Sequence, residues 1–481
     1  MTIEEKIKGL FIMHIAQVEP ENFYRRRRRG MKKKLISLML VGAMATSLVA
    51  CGGAESTGSS EVDSTGEGDT AAVQSEDENT LTVYAWDENF NIPALKAAEK
   101  DYQEKNPDFK LEIITQSQSS DVENAVTLAA EAGDYSTLPD IVLFQDHYIQ
   151  QYVTNYPDAW QSAEGATCDW SGLGAEKLSY STINGTHYGF PVDAGTAIFA
   201  YRTDLLAEAG YTIDDVTGIT WDEFDEIGKA VYEKTGKYLL CMDGSGNDLF
   251  YMMLQAEGVS QFKDGEPYIT ENEDLVKVFN ILVKLAQDNV LYLANDWSDY
   301  TDQAIQGDMV AGVYNGNWII PTIEQVADNA GQWEITTAPT LTGAPGYASN
   351  GGSSLYITAN CSKTELALDF LSYTFGGESA ADGQSITYDE ALTNGGVIGT
   401  CAAAAESDVY SQGVDYFNGQ PIYSTIVEYT QHVPTVEQSD YHYACRTQLG
   451  TALQNVLTNG EDVDTALATA EEQLRFEMEL D

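Results

Sequence analysis

Positive charge is scarce in this chain: 25 lysines and arginines stand against 75 aspartates and glutamates in 481 residues, a formal net charge of −50. Residues 1–50 hold ten basic and four acidic residues, so from Cys51 onward the charge is −56, with 15 basic residues against 71 acidic. Binding to a phosphate backbone needs clustered basic groups that release counterions. Nucleic acid is thereby excluded as the main ligand, and a peripheral role on anionic lipid is disfavoured. The acidity reads first as solubility and self-repulsion at a cell surface. Histidine is also rare, with only His147, His187, His432 and His442 after residue 50 and none at i, i+4 spacing. Cysteines 168, 241, 361, 401 and 445 follow no CxxC pattern, so no dedicated transition-metal site is expected. One or two disulfides remain open outside the cell, and the odd count leaves at least one thiol free. P-loop, GxGxxG and GxSxG motifs are all missing, which removes the usual signals of nucleotide binding and serine hydrolysis.

Long apolar runs are missing too. Leu35–Val49 extends for 15 residues, short of the roughly 20 that span a bilayer. Its context reads as a secretory leader instead: Met31-Lys-Lys-Lys34 before it, small residues at its end, and Leu48-Val49-Ala50-Cys51 closing it. That last tetrapeptide resembles a bacterial lipobox, which implies lipidation of the Cys51 sulfur, removal of residues 31–50 and anchoring at the extracellular face of the membrane. Arg25–Arg29 are five consecutive arginines directly before Gly30 and Met31. An in-frame translated ribosome-binding site has this composition, so residues 1–30 read as a mis-assigned upstream start and Met31 as the true one. Residues 51–79 are rich in Gly, Ser, Thr, Glu and Asp without Lys or Arg. Such a segment buries too little apolar surface to fold and reads as a flexible, self-repelling tether.

The remaining 400 or so residues suit two domains and alternate strand-like with helix-like stretches, as an α/β protein does. Leu81–Trp86, Phe109–Ile114 and Asp140–Phe144 read as strands; Ile92–Lys105 and Asp121–Ala132 read as helices. A polar turn is expected at Gln145-Asp146-His147. Ligands of such sheets gather beyond the carboxyl ends of the strands, which brings Trp86-Asp87 and Asp146-His147 toward one cleft.

A longer pattern appears from Gly185 to Gly210, with Tyr188-Gly-Phe-Pro-Val-Asp193 inside it, followed by Thr220-Trp221-Asp-Glu-Phe224 and a helix to Lys234. Ala304-Ile-Gln-Gly-Asp-Met-Val-Ala-Gly-Val-Tyr-Asn-Gly-Asn-Trp318 comes next, then Ala338-Pro339, Gly351-Gly352, a helix over Thr364–Phe375 and a helical end over Ala444–Leu474. In this order, together with the lipobox, the set resembles the family 1 extracellular solute-binding proteins of ABC importers, the maltose-binding-like group. The resemblance implies a two-lobed type II α/β fold with a hinge and an interlobe ligand cleft. Matching motifs put the crossings near Val192–Ala194, Ala338–Leu341 and Val397–Thr400. Lobe one is then 80–192 with 340–397, and lobe two 193–339 with 398–481. It also implies a monomer that captures a sugar or oligosaccharide by lobe closure and delivers it to membrane permease subunits, without a cofactor. A lipid anchor and a long tether suit a Gram-positive surface.

The resemblance further implies where ligand is held. Trp318 matches the aromatic that stacks on a sugar ring, whose CH face packs on a π-face while its hydroxyls need fixed polar partners. Asp146 matches an acid that accepts sugar hydroxyls, and His147 stands where an arginine is usual. Trp86 and Asp87 close the first strand, and Asp193 lies beside the first crossing, where it either meets ligand or satisfies hinge amides. Asp248 and Tyr251 match a contact stretch of lobe two, while Tyr347, Tyr356 and Phe417 are weaker candidates among 28 tyrosines and 15 phenylalanines. Two alternatives stand beside a sugar. A polyamine would use carboxylates and aromatic faces through cation–π contacts. A glycoside hydrolase needs two carboxylates about 5–10 Å apart; with 71 acids, adjacent pairs such as Asp214-Asp215 and Asp222-Glu223 carry little information, and the second reads as a helix start.

Overall fold

The computed structural model describes residues 73–480 apart from residue 89 and residues 243–246; the side chains of residues 247 and 248 are likewise outside the description. The leader, Cys51 and nearly all of the tether lie outside the described residues. In chain order the elements that build the site are β1 (Thr80–Ala85), α1 (Asn91–Lys105), β2 (Lys110–Thr115), α2 (Ser119–Ala132), β3 (Ile141–Gln145), α3 (Asp146–Asn155), α4 (Ala175–Ser181) and β4 (Gly189–Pro191). Then follow β5 (Ala197–Arg202), α5 (Trp221–Thr235), β6 (Leu240–Met242), α6 (Asn247–Ala256), α7 (Glu273–Gln287), β7 (Leu291–Leu293), β8 (Gly312–Gly316) and β9 (Trp333–Thr336). The last are β10 (Ser353–Ile357), α8 (Thr364–Tyr373), α9 (Ile386–Gly395), α10 (Ile422–Thr430), α11 (His442–Gln454) and α12 (Val463–Glu477).

Two sheets organise this chain. The first has the order β2-β1-β3-β10-β4, with β1 parallel to β2 and β3, and β10 antiparallel to β3 and β4. The central strand β3 is apolar on both faces and β10 is buried along its length, as a helix-covered sheet requires. Alternate side chains enter different cores. Ile141, Leu143, Leu355 and Ile357 pack beneath α1 and α8, while Val142, Phe144 and Tyr356 pack with Val122 and Val126 of α2 on the other side. The second sheet is β8-β5-β9, antiparallel throughout, beside a parallel β6/β7 pair. There Phe199 and Tyr201 face the core formed with α5, α6 and α7, and Ile198 and Ala200 face the opposite core.

Local sequence explains the helix limits. Thr220 and Glu223 form a capping box at the start of α5, and Gly236 ends it in a left-handed conformation. The acid pair Asp222-Glu223 is therefore a helix start. α7 buries Leu275, Val278, Phe279, Leu282 and Val283 on one stripe, the spacing of an amphipathic helix. Buried Asp101 of α1 accepts hydrogen bonds from the Thr387 amide (3.0 Å), Thr387 Oγ1 (2.7 Å) and Ser385 Oγ (2.9 Å). These bonds pin the N-terminus of α9, from a distant stretch of chain, onto the first lobe.

Three local expectations change. Gln145-Asp146-His147 is no turn: α3 begins at Asp146 directly after β3, with the Asp146 amide donating to Gly352 O. The helical C-terminus is two helices, because Gly460 takes a positive φ of 67° between α11 and α12. The five described cysteines are all free and buried. The passage expected at Ala338–Leu341 also falls later. Ala338 bridges Gly346, and Thr340 bridges Thr220 at the start of α5, so this hairpin stays with the second sheet. The chain rejoins the first sheet only at Ser353. The passing segments meet side by side: Thr196 bridges Ser349, the Asn350 amide donates to Gly195 O (2.7 Å), and the Ala194 amide donates to Ile398 O (2.8 Å).

Candidate ligand cleft

Beside these passages lies a cavity of about 270 Å³. From the first lobe come Trp86, Asp87, Phe90 and Asn91 of the β1–α1 turn, and Gln145 and His147 of the β3–α3 junction. Trp318 and Tyr443 come from the second lobe, and Asp193 and residues 350–353 from the passages. The β1–α1 turn is tight: Asp87 takes a positive φ of 64° and its carbonyl accepts the Ile92 amide at 3.2 Å, a conformation that aspartate tolerates better than most residues. Trp318 is held by its indole N–H, which donates to Asn350 O at 2.7 Å. Two indoles therefore line the cavity, one from each lobe.

The polar groups of the lining are mainly uncharged. His147 Nε2 accepts the Gly351 amide at 2.9 Å, so the neutral ring carries its proton on Nδ1, and that buried atom has no protein partner. Burial, with Arg446 next, keeps His147 protonation well below the usual histidine range. Asn91 is 4% exposed, and its Oδ1 is likewise without a protein partner. Both atoms are buried and lack a protein hydrogen-bond partner, while Gln145 and Asn350 add uncharged polar side chains to the same lining. Asp193 accepts the Ser353 amide at 2.9 Å, and its burial pushes the carboxyl up to about 7.

A charged cluster lies behind this lining. Lys177 of α4 is 1% exposed and Asp146 is 0% exposed. The ammonium reaches Asp146 Oδ2 at 3.3 Å and donates to Gly351 O, while Ser354 Oγ donates to Asp146 Oδ1 at 2.7 Å. Glu176, Asp146 and Asp193 share this one ammonium, which holds Lys177 charged, while burial pushes Asp146 and Asp193 up. Space is minimal: a Cβ on Gly352, whose φ is +103°, would lie 2.5 Å from Lys177 Nζ. Glu176 also reaches the second lobe, accepting from Gln255 Nε2 (3.1 Å) and from Ser349 Oγ (2.6 Å). Beside it Tyr180 and Tyr251 share a hydroxyl hydrogen bond at 2.8 Å. The rings of His147 and His442 lie parallel at 5.5 Å, and those of Tyr148 and Tyr443 at 4.5 Å. The two lobes thus meet through α3 and α4 on one side and α6 and α11 on the other.

The structure brings Trp86, Asp87, His147, Asp193 and Trp318 together at the cavity. Asp146 does not line it, because its carboxylate is taken up by Lys177 and Ser354. Tyr251 supports the lobe contact, with the Arg446 guanidinium 5.2 Å from its ring centroid. Tyr347 packs on Tyr429 and His432, Tyr356 is buried beneath the first sheet, and Phe417 is a core residue of the second lobe. The Asp248 side chain lies outside the described residues. Phe90, Asn91, Gln145, Tyr443 and residues 350–353 were not among the ligand contacts expected from sequence, although Gln145 and Gly351-Gly352 fell within motifs noted there. Asn91 follows a turn already suspected, whereas Tyr443 carried no signal among so many tyrosines.

The fold and the cleft define a two-lobed binding protein. The model of the bacterial extracellular solute-binding proteins matches residues 97–393, and the chain belongs to that family. It is 32% identical over 396 residues to the lactose-binding protein of Rhizobium radiobacter, covering 82% of this chain and 92% of that one. It is 21% identical to the arabinooligosaccharide-binding protein of Halalkalibacterium halodurans, over 81% of this chain and 87% of that one. Its fold matches the sugar-binding protein MalE of Xanthomonas citri with a TM-score of 0.67 at 16% identity, covering 84% of this chain and 100% of that one.

Proposed function

We propose that this protein is the substrate-binding component of an ABC importer and captures a neutral sugar or oligosaccharide between its lobes. The observation that carries the reading is the cavity itself, walled by Trp86 and Trp318 and with uncharged polar residues such as Asn91, Gln145 and Asn350 among its lining. Ring CH faces pack on indole, and hydroxyls, each donor and acceptor, pair with fixed partners. The lactose- and arabinooligosaccharide-binding relatives support the same ligand class. A polyamine, the second reading, would use the Asp87 and Asp193 carboxylates and the two indole faces of the same lining.

Ligand touching both lobes favours their closed arrangement by its extra contacts there, and the closed form is what the permease receives. No bond is made or broken, so the protein is a binder and not an enzyme. Acylated Cys51 holds the monomer at the extracellular face of the membrane, with the segment from residue 52 as tether up to residues 74–79. Those residues bond to Asp140, Asn360 and Lys363 of the body.

The test is thermal unfolding of the purified protein against a panel of saccharides, with spermidine and amino acids as controls. At a hundredfold excess over Kd, a ligand specific to the folded state stabilises by about 2.7 kcal/mol. A shift with one saccharide family, lost in Trp318→Ala, is expected. A shift with spermidine alone, or none with any saccharide, would overturn the reading.

A further inference from the structure

Among the described residues only four large apolar side chains are strongly exposed: Leu128, Leu293, Trp297 and Phe476. Trp297 differs from the other three because it is joined to the cavity. Its ring centroid is 5.7 Å from that of Trp318, a cavity wall, and 5.2 Å from that of Tyr300, on which it stacks at 25°. One face of the indole is thus covered by Tyr300, yet 46% of the residue remains exposed. Exposing an indole in this way gives up burial of a large apolar surface, and the local chain is well tied. The Asn295 amide donates to Asp299 Oδ2 at 2.8 Å and the Asp299 amide to Asp296 Oδ1 at 2.9 Å. Beneath the indole, Asn315 Nδ2 donates to the Tyr300 hydroxyl (3.0 Å) and Asn350 Nδ2 to Asn315 Oδ1 (2.8 Å), the same Asn350 whose carbonyl holds Trp318. One hydrogen-bonded chain therefore joins Trp318 to Tyr300, on which the Trp297 indole stacks.

We propose that the open face of Trp297 is a second saccharide-stacking platform, so that the ligand is an oligosaccharide with one ring against Trp318 in the cavity and further rings running out over Trp297. This rests on the sugar reading above. The cavity, at about 270 Å³, is smaller than the roughly 300–1,000 Å³ of most small-molecule pockets, so a ligand of several rings must leave it. At this rim a leaving chain meets an aromatic face that is already ordered and needs no rotamer freezing on binding. Exposed Asn295, Asp296 and Ser298 neighbour Trp297 in the chain, so the segment around the indole is solvent-facing.

The experiment is titration calorimetry of the purified protein, Trp297→Ala and Trp297→Phe, with galactooligosaccharides and arabinooligosaccharides of one to four rings. In the unaltered protein, affinity should rise with length in the series that binds. Trp297→Ala should remove that rise, weakening the longest ligand about tenfold, the scale of one lost stacking contact, while one-ring affinity is unchanged. Trp297→Phe should recover most of the loss. Equal loss at every length, or no loss at any length, overturns the proposal. The second result together with failure to stimulate permease ATPase would make this rim a protein-docking surface instead. If the unaltered protein binds no saccharide of either series, the sugar reading falls and this proposal falls with it.

Discussion

Replacing Lys177 by Met removes the one ammonium that Asp146 shares with Glu176 and Asp193, at a site where Lys177 and Asp146 are each at most 1% exposed. Methionine keeps most of the side-chain volume, so packing loss is small and electrostatics dominates. Breaking a buried ion pair from one side costs about 3–5 kcal/mol, because the remaining charge is left uncompensated. That is a large share of the roughly 5–15 kcal/mol by which a protein domain is stable. Urea unfolding should show the loss as a lower midpoint. The pH dependence supplies a signature. In the variant, folded-state carboxyl pKa values rise further above the unfolded value of about 3.9. The folded variant then takes up protons that the unfolded chain does not, so its deficit should shrink from pH 8 to pH 5. Adding Asp146→Asn to Lys177→Met should restore part of the loss, since a buried amide is less costly than a buried carboxylate. A deficit under about 1 kcal/mol, below the range for a broken buried pair, would refute this account and return Asp146 to the ligand. So would one that deepens on acidification.

Two further outcomes follow from the passages and the lobe contact. Gly195 has a φ of +56°, and a Cβ there would lie 2.5 Å from Gly351 O. Gly195→Ala should therefore cost about 2–5 kcal/mol from left-handed strain plus overpacking, seen as a lower thermal midpoint; a neutral effect would show that the passages separate freely. His442 faces Arg446 on its own helix, His147 of α3 and Tyr251 of α6. Burial, then Arg446, holds its protonation well below 6.5, so the unfolded chain takes up the proton first and acid favours unfolding. Relative to His442→Gln, the unaltered protein should lose up to about 1.4 kcal/mol per pH unit below pH 6.5. A stability difference that is flat with pH would refute the buried neutral pair.

Local sequence determined much of this protein. Strands such as Ile141–Gln145 were legible because a continuous apolar run can only be buried on both faces, and α5 because Thr220, Glu223 and Gly236 satisfy its ends. The α/β alternation and the ordered motifs that resemble the solute-binding family led to the two-lobed fold; Trp86 and His147 were noticed at strand ends, and Trp318 from its match to that family's stacking aromatic. What separates Asp146 from His147 was not legible. They are adjacent at the start of one helix, yet one carboxylate is enclosed by Lys177 from α4 while the neighbouring imidazole lines the cavity. The position of the second passage was hidden for the same kind of reason, since it depends on Thr340 pairing with Thr220, 120 residues earlier in the chain. Which acid is neutralised, which glycine is pressed against a distant carbonyl and which indole is left open are set by contacts between remote segments. Only the tertiary structure decides these, because burial and pairing belong to the packed chain and not to any one stretch of it.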